Sequence, residues 1–130
     1  MDPVVHFEIP YENKTRISGF YEQAFGWQTQ ALGEEMGNYV LATSSPVGED
    51  NLPVQGTING GFSPTIAGAP QRHPTVVIAI EDVTKAMASV RQAGGKILGE
   101  PMHIPGVGTY VSFSDTEGNR LSLMQAAPRA

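Results

Sequence analysis

His6 and Glu8 stand two residues apart in Val4–Ile9, a segment whose apolar side chains Val5, Phe7 and Ile9 fall at every second position. An imidazole and a carboxylate at that spacing share one face of a strand, with Cα atoms about 6–7 Å apart. Such a pair could act as a general base and its partner, or as hydrogen-bonding groups that orient a ligand. Two polar residues on a wet face are the plainer alternative, at about even weight. His103, within PMHIPGVG at 101–108, could cover the mouth of a ligand site or stand in a solvated loop. Trp27, Tyr39, Phe62 and Tyr110 could wall a planar ligand, although Trp27 and Phe62 adjoin turns and would serve equally well in packing.

Other chemistries are excluded by what the chain lacks. With no cysteine there is no disulfide, thiolate metal site or Cys nucleophile, and a cytoplasmic location is compatible with that composition. Three histidines without a nucleophile elbow support no Ser-His-Asp arrangement. Gly60-Gly61 and Gly94-Gly95 lack the spacing and the lysine of a phosphate loop. Asp115–Asn119 (DTEGN) carries two carboxylates, but no further ligand run follows, so it reads as a turn rather than a calcium loop. A net charge of −5 with no basic cluster argues against nucleic acid. No apolar run approaches the length of a membrane span, and neither insertion nor a leader segment is expected.

The elements that must carry these residues occur twice. His6–Gly26 lies without gaps over Thr75–Gly95, an offset of 69 residues. Ile9 falls on Ile78, Glu12 on Glu81, Thr15 on Thr84, Gln23 on Gln92 and Gly26 on Gly95. Each copy opens with a strand and continues with a helix. Ile17, Phe20, Tyr21 and Ala24 recur at helical spacing in the first, with Asn13 or Thr15 as cap and Gly26 as the stop. Further strands are predicted at 27–32, 39–43, 57–61, 96–98, 109–114 and 120–125. Phe62–Pro74, with three prolines and one glycine, reads as the linker. The expectation is an α+β fold of two βαβββ modules, about 1–61 and 75–127, related by a pseudo-twofold repeat and enclosing a cleft.

This order, together with FYEQAFGW at 20–27, GGK at 94–96 and DTEGN before the last strand, resembles the vicinal oxygen chelate superfamily. That group includes glyoxalase I, bleomycin-resistance proteins, extradiol dioxygenases and methylmalonyl-CoA epimerase. The resemblance covers essentially the whole chain and is nearest to small glyoxalase-like proteins that begin HFEIP and continue with FY and FGW. It implies an open barrel whose cleft often holds a divalent metal, with ligands from the first and last strands of each module. Carried over by position, those places hold His6, Asn59, Thr75 and Ser122.

One imidazole with three neutral oxygens is a poor donor set for a divalent ion, since nothing in it supplies negative charge. Glu8 could lend a carboxylate to a weak site through His6, so no resident cofactor is expected. Two functions follow from the resemblance and these substitutions. One is a binder of a small organic molecule, in the manner of bleomycin-resistance proteins. The other is a lyase, epimerase or dioxygenase that uses His6 and Glu8 as catalytic residues. In either case Asn59, Thr75, Ser122, His103, Tyr110 and Trp27 are expected to touch the ligand, and similar proteins imply a homodimer.

Overall fold

The computed structural model describes residues 1–65 and 73–128. Two compact units divide the chain: His6–Pro74, and Thr75–Ala130 together with Met1–Val5.

The first unit holds β1 (Val4–Tyr11) from His6 onward, α1 (Lys14–Phe25), β2 (Gln28–Ala31), a single 3-10 turn at Glu34–Met36, β3 (Val40–Thr43) and β4 (Asn59–Pro64). Helix α1 starts where Asn13 accepts a hydrogen bond from the Arg16 N–H, and it stops at Gly26 in the left-handed conformation. The sheet order is β2-β3-β4-β1, with β1 parallel to β4 and the remaining pairs antiparallel. Tyr11, Val40, Ala42 and Phe62 form the core, and Ile9, Ile17, Tyr21 and Trp27 pack on it. The predicted alternation on β1 therefore holds from Phe7 onward. Phe20 does not join the core; it is 58% exposed, because Ile17 and Tyr21 already span the contact with the sheet.

The second unit repeats the order with β5 (Thr75–Ala79), α2 (Val83–Gln92), β6 (Lys96–Ile104), β7 (Gly108–Ser114) and β8 (Arg120–Ala126). Its sheet runs β6-β7-β8-β5, again with the first and last strands parallel. Asp82, the repeat partner of Asn13, caps α2 through the Lys85 N–H. Ile80, Val111, Phe113 and Leu123 form its core under Val83, Met87 and Val90 of the helix. Pro3 belongs to this unit and accepts a hydrogen bond from the Ala79 N–H. In the DTEGN turn, Asp115 Oδ1 accepts from the Glu117 and Asn119 N–H groups, each at 2.9 Å. A hydrogen bond from the Asn119 side chain, together with those two backbone bonds, holds the Asp115 carboxyl below its ordinary range.

Two boundaries differ from expectation. Strand β4 runs from Asn59 to Pro64, so Phe62 is a fully buried core residue and not the start of a linker. The reason is its parallel register against β1, which sets Phe62 beside Ile9 and in line with Val40. Residues 66–72 of the expected linker lie outside the described residues. Strand β6 extends six residues beyond its predicted end, through a register shift between Leu98 and Met102 where Gly99 has positive φ.

Phe62→Ala should lower stability by about 3–5 kcal/mol, the usual cost of emptying a large buried aromatic site. Denaturant unfolding monitored by Trp27 fluorescence measures it, and a loss under about 1 kcal/mol would contradict a core centred on Phe62.

Candidate functional site

On β1, Phe7, Ile9 and Tyr11 turn toward α1, which leaves His6 and Glu8 on the opposite face. The parallel register places Asn59 beside His6 and Gly61 beside Glu8. Tyr39, the residue before β3, extends across β4 above Gly61, and its hydroxyl lies 2.9 Å from His6 Nε2. A Cβ at Gly61 would collide with the Tyr39 ring, and one at Gly60 would collide with Phe7 on the other face. Both glycines are thus needed for close approach of aromatic rings rather than for a phosphate.

Burial is the larger influence on His6 and lowers its pKa from 6.5, while the nearby Glu8 carboxylate acts in the opposite direction. The outcome is a neutral imidazole at pH 7. Asn59 faces the same way, but its amide oxygen accepts from the Ser44 and Ser45 N–H groups at 3.0 and 2.9 Å. It ties the chain after β3 to β4, which leaves that oxygen little capacity for a ligand. Ser45 Oγ is buried beside this tie without a hydrogen-bond partner among the described residues.

In the second unit Ser122 is almost fully buried, and its Oγ lies 2.6 Å from the Tyr110 hydroxyl. Ser112 Oγ is 3.5 Å from it and accepts a bond from the Arg120 guanidinium. Thr75 is buried on the same face, because it shares the parity of Val77, the register partner of Ser122. Of the carry-over positions of this unit, Ser122 thus joins a hydroxyl network with Tyr110 and Ser112, and Thr75 shares its face.

Two expected contacts fall elsewhere. Trp27 stacks on Tyr21 at 4.6 Å and lies 5.5 Å from Phe7, so it packs on the helix side of the sheet. His103 lies within β6 opposite Thr109, not in a loop. Directly paired residues share a face, so His103 points away from the Tyr110 side, which Met102 shares instead. The extension of β6 past its bulge was invisible in the sequence. Tyr39 carried no spacing signal linking it to His6; Gly61 is the trace of it. A groove of about 480 Å³ opens beside Tyr11, Arg16 and Phe20, on the α1 side and without His6 or Glu8 in its lining.

Among the described residues no three His, Cys, Asp or Glu side chains gather in one place. The donors at the four carry-over positions do not suit a divalent ion: His6 Nε2 is bonded to Tyr39, the Asn59 oxygen serves the backbone, and Thr75 and Ser122 are neutral hydroxyls.

These paired strand-helix-strand modules, with a polar face on each sheet, define a class before they define a family. The model of the Glyoxalase/Bleomycin resistance protein/Dioxygenase superfamily matches residues 4–123. The chain belongs to that superfamily. CFP32 of Mycobacterium bovis, named provisionally as a glyoxylase, is 33% identical over 72 residues. That match covers 55% of this chain and 27% of the relative, so the chain spans about a quarter of that relative's length. A glyoxylase-like domain-containing protein of Didymella fabae is 28% identical over 115 residues, 86% of this chain and 84% of that one. Methylmalonyl-CoA epimerase from Mycobacterium tuberculosis has a similar fold, with TM-score 0.67 over 96% of this chain and 88% of that one at 12% identity. No helix among the described residues is long and apolar enough to cross a membrane.

The lowered His6 pKa has a defined sign in stability. The unfolded chain takes up this proton near pH 6.5 and the folded chain only at lower pH. Stability therefore declines as pH falls from 6.5 through the folded-state value, and the decline levels off below it. His6→Gln should flatten that part of the curve in denaturant midpoints. An NMR titration midpoint at or above 6.5 for His6 would contradict the desolvated site.

Proposed function

We propose that this chain binds a small organic molecule on the β1 face that carries His6 and Glu8, without a tightly held metal. The observation that carries this reading is the desolvated imidazole bonded to Tyr39, a polar group held ready on a largely neutral face. A buried hydroxyl left unsatisfied costs about 1–3 kcal/mol, and Ser45 therefore adds a second polar group that a bound molecule or water would relieve. With a net charge of −5 the surface repels anions, so a neutral or weakly polar ligand is preferred over a phosphorylated one.

The second reading is a lyase, epimerase or dioxygenase in which His6 and Glu8 handle a proton. Its support is the Glu8 carboxylate near His6, whose charge favours the protonated imidazole. The glyoxylase names of the sequence relatives and the epimerase of similar fold lie on this side. Metal content separates the readings. Elemental analysis of protein prepared without chelator should give well below one metal per chain, and one firmly held zinc, nickel or iron would favour the enzyme.

A thermal-shift screen of metals and small metabolites provides the ligand. His6→Ala and Glu8→Gln should each weaken binding of the hit while leaving Tm nearly unchanged. If both variants unfold the chain and spare binding, the proposed site is wrong.

A homodimer belongs to the same proposal, supported by exposed apolar residues such as Phe20, Phe25 and Val4. Sedimentation at tens of micromolar should show the dimer; a monomer there removes it.

A further inference from the structure

The Tyr39 hydroxyl and His6 Nε2 are 2.9 Å apart, and either could donate. Chemistry decides between them. A neutral imidazole carries one N–H and one basic, unprotonated nitrogen, and that nitrogen is a much better acceptor than a phenol oxygen. A phenol, in turn, is the better donor. The favoured arrangement is Tyr39 O–H donating to Nε2, which leaves the imidazole proton on Nδ1. A neutral histidine free in water prefers the opposite tautomer, so the neighbour has to impose this one.

The approach that allows it is built into β4. Tyr39 and His6 are 33 residues apart in sequence, and the ring reaches the imidazole only by lying across the strand between them. Gly61 sits under the ring, where any Cβ would collide with the Tyr39 hydroxyl and ring carbons. Gly61 has no positive φ that would otherwise call for glycine, so the close approach is what the position requires. The Val40 and Ala42 side chains, both essentially fully buried in the core, anchor the strand that presents Tyr39.

We propose that Tyr39 is a positioning residue: its hydroxyl donates to His6 Nε2 across Gly61 and holds the imidazole in the Nδ1–H tautomer. His6 then offers a ligand a hydrogen-bond donor at Nδ1, suited to a carbonyl or similar oxygen acceptor. Nε2 is withdrawn from use as a base or a metal ligand. The ligand half of this statement rests on the proposed binding function; the tautomer half stands without it.

Long-range nitrogen–proton NMR correlations of the imidazole rings, on the full chain at neutral pH, read the tautomer directly. Wild type should show His6 protonated at Nδ1 with unprotonated Nε2. Tyr39→Phe keeps the ring and removes the hydroxyl, and it should move most of His6 to the Nε2–H form with the amide spectrum of a folded protein retained. Gly61→Ala should do the same by displacing the ring. Tyr11→Phe removes another phenol of the same unit, one bonded to the Asn38 carbonyl, and should leave the His6 tautomer unchanged. Wild-type His6 in the Nε2–H form, or a tautomer indifferent to Tyr39→Phe, overturns the proposal. A tautomer lock found in a chain that binds nothing in the screen would instead refute the binding reading and leave Tyr39 in its role.

Discussion

Two adjacent glycines in β4 let aromatic rings cross the strand on both of its faces, and the first module is arranged around that crossing. Phe7 passes over Gly60 on the helix side and completes the aromatic packing with Trp27. Tyr39 passes over Gly61 on the other side and meets His6. Glycine in the middle of a strand weakens it, through lost side-chain packing and a larger entropy loss on folding. Here that loss is offset by the rings that occupy the space, and by Phe62 next in the strand, which is fully buried.

His6 lies at the edge of this crossing, bonded to Tyr39, and its burial favours the neutral form of the imidazole. Glu8 pulls in the other direction and is the lesser influence. The other carry-over position in this module, Asn59, works for the fold, with its amide oxygen closing the chain after β3. In the second module, Ser122 and Tyr110 satisfy each other inside a hydroxyl network. The polar residues on these faces are thus mostly partnered by their own module, and the superfamily scaffold carries a donor set unlike that of a divalent-metal centre.

Much of the architecture was legible in the chain. The alternation of Val5, Phe7 and Ile9 placed His6 and Glu8 on the face away from α1, although Val5 itself is exposed, and the ungapped repeat located both helices; of the two caps open for the first, Asn13 rather than Thr15 takes the role. Leu121 and Leu123 pack at the second core while Ser122 faces away, as their parity required. The errors fell on residues whose surroundings come from elsewhere in the chain. Trp27 adjoins a turn and could have faced either way; stacking on Tyr21 and Phe7 turned it to the core. His103 was read as a loop residue because PMHIPGVG carries two prolines and two glycines, yet β7 pairs with the segment past a bulge.

What the sequence by itself determined is therefore local: which residues alternate, where each helix is capped, and that one module follows another in the same order. These properties have periods of two or about four residues, so a short window contains their cause. Tertiary structure alone decided the partners. The hydrogen bond from Tyr39 to His6, the ties from Ser44 and Ser45 to Asn59, and the face occupied by His103 each depend on the register between strands distant in sequence. A shift of one residue in such a register exchanges the two faces of a strand, and only the packed core selects among the registers.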